Sequence, residues 1–276
     1  MEGFLGVIPG LRGDRILYNL KLFMWHTLLY QPLLNGLIFF YRILGNLGLA
    51  IILMTFLLRV VLFPLTLPTL KAAQKIKKLT PEIEKLKKKY GKDKKGFAKA
   101  QLELYRREGA NPAAGCLPQI VQLLVLVAFF QAFNQVLRAD GDIIAKLNSV
   151  LYSSLKLPAA AQIETRFLYL DLTKPDFFIL GKLKLPGFFL LGAAITQFLS
   201  SKLMAPSVSK SKRIASQTPG EFDDVAVAMQ KQSLYLMPIM TIMFGLTFPA
   251  GLVLYWLIFS LTTLIQQLWL NKSENG

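Results

Sequence analysis

Five stretches of the chain are apolar for close to the twenty or so residues that cross a hydrocarbon layer, and polar segments separate them. They are residues 47–67, 112–137, 185–204, 233–247 with its flanks, and 249–270, and each predicts a membrane-spanning helix. The segment before the first, "RILYNLKLFMWHTLLYQPLLNGLIFFYRILGN", mixes Leu, Phe, Trp and Tyr with Arg15, Lys21 and Arg42. That mixture fits an amphipathic helix lying in the interface. Its apolar run at 33–44 is too short for a sixth span.

The segment between the first two spans has helical order of a different kind. Leu79, Ile83, Leu86 and Tyr90 fall at steps of four, three and four, the spacing of a coiled-coil seam. In "LTPEIEK", Thr80 suits an N-cap, Pro81 the first helical position, and Glu82 and Glu84 the positive end of the helix dipole. "YGKDKKG" breaks the pattern, and Phe97, Gln101, Leu102, Leu104 and Tyr105 resume it. Two antiparallel helices closed by these narrow stripes are expected. The resulting map is an N-terminal interfacial segment (1–45), first span (46–70), hairpin (71–111), second span (112–137), loop (138–184), third span (185–205), polar loop (206–229), fourth and fifth spans (230–270) and tail (271–276). The fold class expected is an all-α polytopic membrane protein. No internal repeat is evident.

Charge orients this map. Residues 71–108 hold fourteen Lys and Arg against five Asp and Glu, among them Lys77, Lys78, Lys85, Lys88, Lys89, Arg106 and Arg107. Loop 206–229 carries Lys210, Lys212 and Arg213. Residues 138–184 are nearly balanced, with seven basic and five acidic side chains. Positive loops stay in the cytoplasm, so the N-terminus is expected outside and the C-terminus inside. The hairpin charge has two readings, topology alone or docking to anionic headgroups, ribosomal RNA or a soluble partner.

Composition agrees with a membrane protein, at 53% hydrophobic residues over 276 and a net charge of +16. One cysteine, Cys116, and one histidine, His26, exclude a disulfide framework and leave no basis for a His/Cys zinc site or a catalytic triad. No Gly-rich phosphate loop is present. No catalytic residue, metal or cofactor is expected. The start, "MEGFLGVIPGLRGDR", lacks the basic and apolar regions of a signal peptide and the Arg- and Ser-rich character of a transit peptide, so neither is expected.

One residue breaks the first span. Arg59, in "AIILMTFLLRVVLFPLTLP", lies twelve residues from both Leu47 and Lys71, about 18 Å along a helix from either. An Arg at a helix centre costs about 2.5–3.5 kcal/mol on insertion scales. None of the five apolar stretches contains Asp or Glu, so its companions must be water or neutral groups. Candidates are Thr55, Gln119, Gln122, Gln131, Asn134, Gln197 and Ser233; a side chain stretched to the headgroups is the competing reading. Tyr255 and Trp256 sit deeper in the fifth span than an aromatic belt. Cys116 by itself reads as a small structural thiol.

Taken in order, "YQPLLN", "MTFLLRVVLFPLT", the charged hairpin, "NPAAGCLPQIVQ", "FLYLDLTKPD", Gln197 and "FPAGLVLYW" resemble the YidC/Oxa/Alb membrane protein insertases over about residues 30–270. The resemblance implies five helices around a hydrophilic groove open to the cytoplasm and lipid. Arg59, Thr55, Gln119, Gln122 and Gln197 would line it, and Cys116, Leu123, Leu126, Tyr255 and Trp256 would touch substrate. It further implies a bacterial plasma membrane protein that inserts nascent membrane proteins, alone or with the Sec translocon. Ribosome and signal recognition particle machinery and anionic lipids are the other implied partners. Against the family pattern, the outer domain or lipoprotein signal of many members is not expected, and the short, nearly neutral tail does not suit ribosome docking. The alternative is a channel or secondary transporter with an Arg-lined cavity, for which repeats and broken helices would be the sign.

Overall fold

The structure, a computed structural model, describes residues 25–91, 93–110, 117–137, 143–204 and 232–275. A π-turn at His26–Tyr30 leads into α1 (Gln31–Leu44). Then follow α2 (Leu47–Lys78), α3 (Thr80–Tyr90), α4 (Lys94–Arg107), α5 (Leu117–Leu137), α6 (Ile143–Val150), α7 (Phe188–Met204), α8 (Met237–Gly245) and α9 (Ala250–Asn275). Helices therefore occupy all five apolar stretches. By length and composition two of them are long and apolar enough to cross a membrane, α2 and the 250–272 part of α9, while apolar runs in α5, α7 and α8 are shorter.

Local chemistry explains the main boundaries. Gly45 takes φ 66°, a conformation that favours glycine, and its N–H reaches the Tyr41 carbonyl at 2.8 Å to close α1. Asn46 then turns extended, and its side chain accepts the Leu49 N–H at 3.1 Å to cap α2. The chain reverses in two residues, so α1 packs back on α2. At its far end α2 runs past residue 70 to Lys78 and flows into α3 through Leu79, which stays helical at φ −76°, ψ −7°. This leaves no extended residue for a cap. Thr80 is inside α3 and its hydroxyl donates to the Lys77 carbonyl at 2.7 Å, a correction to its expected role as N-cap.

α9 is the central helix, in contact with α7, α2 and α5. The main core joins Leu33 and Leu37 of α1, Ile51 and Met54 of α2, Val125 and Phe129 of α5, and Leu252, Tyr255 and Phe259 of α9. The hairpin has its own small core of Leu79, Leu104 and Ala110, with Ile76, Ile83, Leu86 and Tyr105 against it. Facing outward are Phe56, Leu57, Val60 and Val61 of α2, Leu123 and Leu124 of α5, and Ile195 and Leu199 of α7. So much exposed aliphatic surface on helices suits lipid contact.

The all-α expectation needs a correction. Residues 138–184 are expected as a loop and 185–205 as the third span, but residues 143–187 hold α6 and two antiparallel ribbons, β1 (Arg166–Phe167) with β2 (Leu170–Asp171), and β3 (Phe177–Leu180) with β4 (Leu183–Pro186). This region is stitched to the α8–α9 turn: Ala250 N–H donates to the Lys174 carbonyl at 2.7 Å and Gly251 N–H to the Leu172 carbonyl at 3.0 Å. Free N–H groups at the start of α9 are thereby satisfied. The segments "FLYLDLTKPD" and "FPAGLVLYW", distant in sequence, are bonded neighbours. The ribbons and the basic hairpin lie at opposite ends of α2, since Asn46 donates to the Arg166 carbonyl at 3.2 Å while α3 follows Lys78.

Candidate functional site

The unusual residue of α2 is buried, with Arg59 only 5% exposed. Its Nε–H donates to Thr262 Oγ1 at 2.9 Å, one Nη2–H to the Phe259 carbonyl at 3.1 Å, and another to Thr263 Oγ1. The guanidinium carbon stands 3.9 Å from the centre of the Phe259 ring. No carboxylate takes part, and among the described residues Nη1 has no partner. A cation in such a place is tolerable because each bond to a charged donor contributes about 1.5–3 kcal/mol and the ring face adds up to about 2 kcal/mol. The Phe259 carbonyl serves both this arginine and the hydroxyls of Thr262 and Thr263, which donate to it at 2.8 Å each. These threonines bond back within α9, and their oxygens are left to accept from Arg59.

The other candidates are distributed differently. Thr55 is buried, but its hydroxyl donates to the Ile51 carbonyl of its own helix at 2.6 Å. Gln197 accepts the Thr241 hydroxyl, tying α7 to α8. Gln122 is half-buried on α5. Gln131 accepts the Trp25 indole N–H at 2.9 Å and so ties α5 to the residue before the His26–Tyr30 turn. Gln119 lies in the first turn of α5; its side chain, like those of Asn134 and Ser233 and all of Cys116, falls outside the described residues. Thus none of the amides seen is bonded to Arg59. The residues that hold it, Phe259, Thr262 and Thr263, were missed by the sequence reading. Their signal was available, as an adjacent pair of hydroxyl residues, Thr262 and Thr263, within an apolar stretch free of charge.

Leu123 is 58% exposed on α5, and Leu126 on the same helix packs against the main core. Tyr255 is fully enclosed, stacked on Phe129 with ring centres 4.5 Å apart, and its buried hydroxyl has no partner among the described residues. Trp256 is half-buried, and its indole nitrogen likewise has no partner among the described residues. Tyr255 lies one turn before Phe259, so Arg59, Phe259, Tyr255 and Phe129 form a continuous polar-aromatic seam between α2, α5 and α9. A second polar contact lies on the far side of α9, where Thr196 of α7 and Ser260 share a hydrogen bond of 2.8 Å.

Toward the hairpin, Lys77 belongs to α2, and its ammonium donates to the Leu203 carbonyl at the end of α7 at 2.6 Å. Lys78 closes α2. Lys85, Lys88, Lys89 and Arg106 are exposed on α3 and α4, and Arg107 pairs with Glu82 at 3.4 Å and Glu108 at 3.0 Å.

Residues 39–275 match the 60Kd inner membrane protein family. The chain belongs to that family. Relatives include proteins named membrane protein insertase YidC from Fusobacterium nucleatum, 36% identical over 84% of this chain and 89% of its own length, and from Pelobacter propionicus, 34% identical over 91% of this chain and 40% of its own. The chain thus spans about two fifths of the Pelobacter relative. A crystal structure described as an active YidC insertase with its first transmembrane domain resolved shares the fold, with a TM-score of 0.51 at 23% identity, over 92% of this chain and 45% of that one. This is a family of membrane proteins, and the exposed aliphatic helix faces fit that setting.

Proposed function

We propose that this chain is a membrane protein insertase that moves newly made membrane proteins into the bilayer through a polar groove beside Arg59. The observation that carries the reading is the match to the Fusobacterium protein, named as an insertase and paired with this chain over most of both lengths. In this reading all five apolar helices cross the bacterial plasma membrane, with the N-terminus outside, the hairpin in the cytoplasm and the C-terminus inside. The groove is lined by Arg59, Gln119, Gln122 and Gln197, with Thr55 in the packed wall one turn from Arg59. Substrate contacts fall on Cys116, Leu123, Leu126 and Trp256, with Tyr255 enclosed behind them. Sec translocon, ribosome and signal recognition particle machinery remain partners of the proposal, and anionic lipids meet Lys85, Lys88 and Lys89.

The physical task is to lower the cost of carrying a polar segment across lipid, several kcal/mol for each group left without a hydrogen bond. Neutral hydroxyls hold the Arg59 guanidinium, so its charge is not cancelled by a carboxylate. An acidic segment of substrate therefore meets a positive field, and its carboxylate is a stronger acceptor than the threonine oxygens. The apolar helix that follows partitions into lipid past the exposed face of α5, and its burial drives the process without a nucleotide.

Proteoliposomes containing only this protein and a one- or two-span substrate provide the test. Insertion well above that of empty liposomes is expected; equal insertion overturns the reading, and ion or solute flux would point to a channel instead. Arg59→Ala is expected to slow insertion most for substrates with acidic outer segments, by about tenfold if one charge-assisted bond of about 1.4 kcal/mol is lost. Arg59→Lys keeps charge but not the fork, so full recovery would show that charge alone matters.

A further inference from the structure

The β3–β4 ribbon is apolar on both faces apart from Lys184 and largely uncovered, with Ile179 71% exposed, in a way the groove does not use. Its register pairs Phe178 with Leu185 and Leu180 with Leu183, and because neighbours along a strand point to opposite faces, these four apolar residues share one face. The other face carries Phe177, Ile179, Lys184 and Pro186, with the Lys184 ammonium 4.9 Å from the centre of the Phe177 ring. The tip is the two-residue turn Gly181–Lys182, where Gly181 takes φ 62°, as the first position of a tight hairpin turn requires. Leu180 and Leu183 are 69% and 62% exposed. Only the base of the apolar face is packed, where Phe178 lies on Phe188 and Tyr169 with ring centres 5.1 and 6.0 Å away. A lone two-stranded ribbon is marginal in water, so its uncovered face needs an apolar surface.

Two observations name that surface. The apolar face meets α7 at Phe188, itself 67% exposed, and the exposed strip continues along α7 through Leu191, Ile195 and Leu199. The ribbon is thus an extension of a helix face that suits lipid. In addition, residues 177–186 contain Lys182 and Lys184 and no Asp or Glu, so the ribbon brings only positive charge to its surroundings. We propose that the β3–β4 ribbon lies in the headgroup region of the lipid leaflet at the α8–α9 turn end of the molecule, with Leu180 and Leu183 buried among acyl chains and Lys182 and Lys184 paired with anionic headgroups. It acts as a fixed interfacial anchor for the start of α7. This rests on the membrane setting in the proposed function, but needs neither substrate nor insertion.

The test uses the full chain with Cys116→Ser as background, carrying Leu180→Cys, Leu183→Cys or, as control, Ala160→Cys on the exposed loop. Each is labelled with an environment-sensitive fluorophore and reconstituted in vesicles of phosphatidylglycerol and phosphatidylcholine. Labels at 180 and 183 are expected to be quenched at least twofold more by lipids with a nitroxide near the headgroup than the label at 160, and to be shielded from aqueous iodide. Lys182→Gln with Lys184→Gln should reduce that quenching, and should remove its increase with phosphatidylglycerol content. Equal iodide quenching at 180, 183 and 160 overturns the proposal. Shielding from iodide without nitroxide quenching overturns it too, since the cover is then protein, as when copies of the chain meet there. Insertion measured with the unsubstituted parent chain in vesicles of the same lipids separates the two ideas: quenching in the labelled chains without insertion by the parent leaves the anchor standing and removes the insertase.

Discussion

At the residue scale the molecule turns on two buried charges with unlike solutions. Arg59 is held by neutral oxygens from α9, and removing those oxygens leaves a buried cation short of acceptors. Thr262→Val with Thr263→Val is expected to lower stability by about 1.5–3 kcal/mol, seen as a lower thermal unfolding midpoint in detergent. An unchanged midpoint would mean that Arg59 finds other acceptors. Asp176 is the second case, wholly buried and accepting the Leu190 N–H at 2.9 Å and the Tyr169 hydroxyl at 3.0 Å. It fastens the ribbons to the start of α7. A Cβ on Gly187 would overlap the Asp176 carboxylate, so Gly187→Ala should cost about 1–3 kcal/mol by overpacking, again read by thermal unfolding. Gly187→Ala in an Asp176→Ala background should cost less. Arg59 was legible as an anomaly, since one charge in an apolar run stands out. Asp176 was not, because nothing local marks one of five acidic residues in a balanced loop as buried.

At the element scale the region 143–187 is the part that the hydrophobic pattern described least. Its strands are two to four residues long, too short for alternation to register, and their meaning comes from contacts with the α8–α9 turn and α7. Burial and the neighbouring Asp176 carboxylate push the Tyr169 phenol up to about 12, although the Phe189 N–H works the other way. The neutral phenol therefore stabilises the native loop fully below its ordinary value near 10, and this contribution is lost as pH rises through about 12. Phenolate absorbance of the parent minus that of Tyr169→Phe should show a midpoint near 12, and Asp176→Asn should lower it. The hairpin was legible from its seam of Leu79, Ile83 and Leu86, because packing between helices writes a 3.5-residue period into sequence. The unbroken passage of α2 into α3 was not, since Pro81 and Thr80 suit a fresh start as well as a continued helix.

At the scale of the whole molecule the basic hairpin and the ribbon region sit at opposite ends of α2, which suits a chain whose charged end faces the cytoplasm. Trypsin should cut the Lys-rich 71–108 segment only in inverted membrane vesicles, and the 143–187 region only from the outer side; cleavage of both from one side would refute this orientation. The sequence by itself determined the number and place of the apolar helices, the separate hairpin and the exceptional position of Arg59. These are properties of hydrophobic length, period and charge, which act locally along the chain. Only the tertiary structure decided that Arg59 is bound by Thr262, Thr263 and the Phe259 carbonyl rather than by the amides of α5 and α7. It also decided that Gln197 belongs to Thr241 and that two distant motifs join at Ala250 and Gly251. The reason is physical: a hydrogen bond depends on the rotation and depth of two packed helices to within an ångström, and a periodic pattern specifies which face is buried but not which partner it meets.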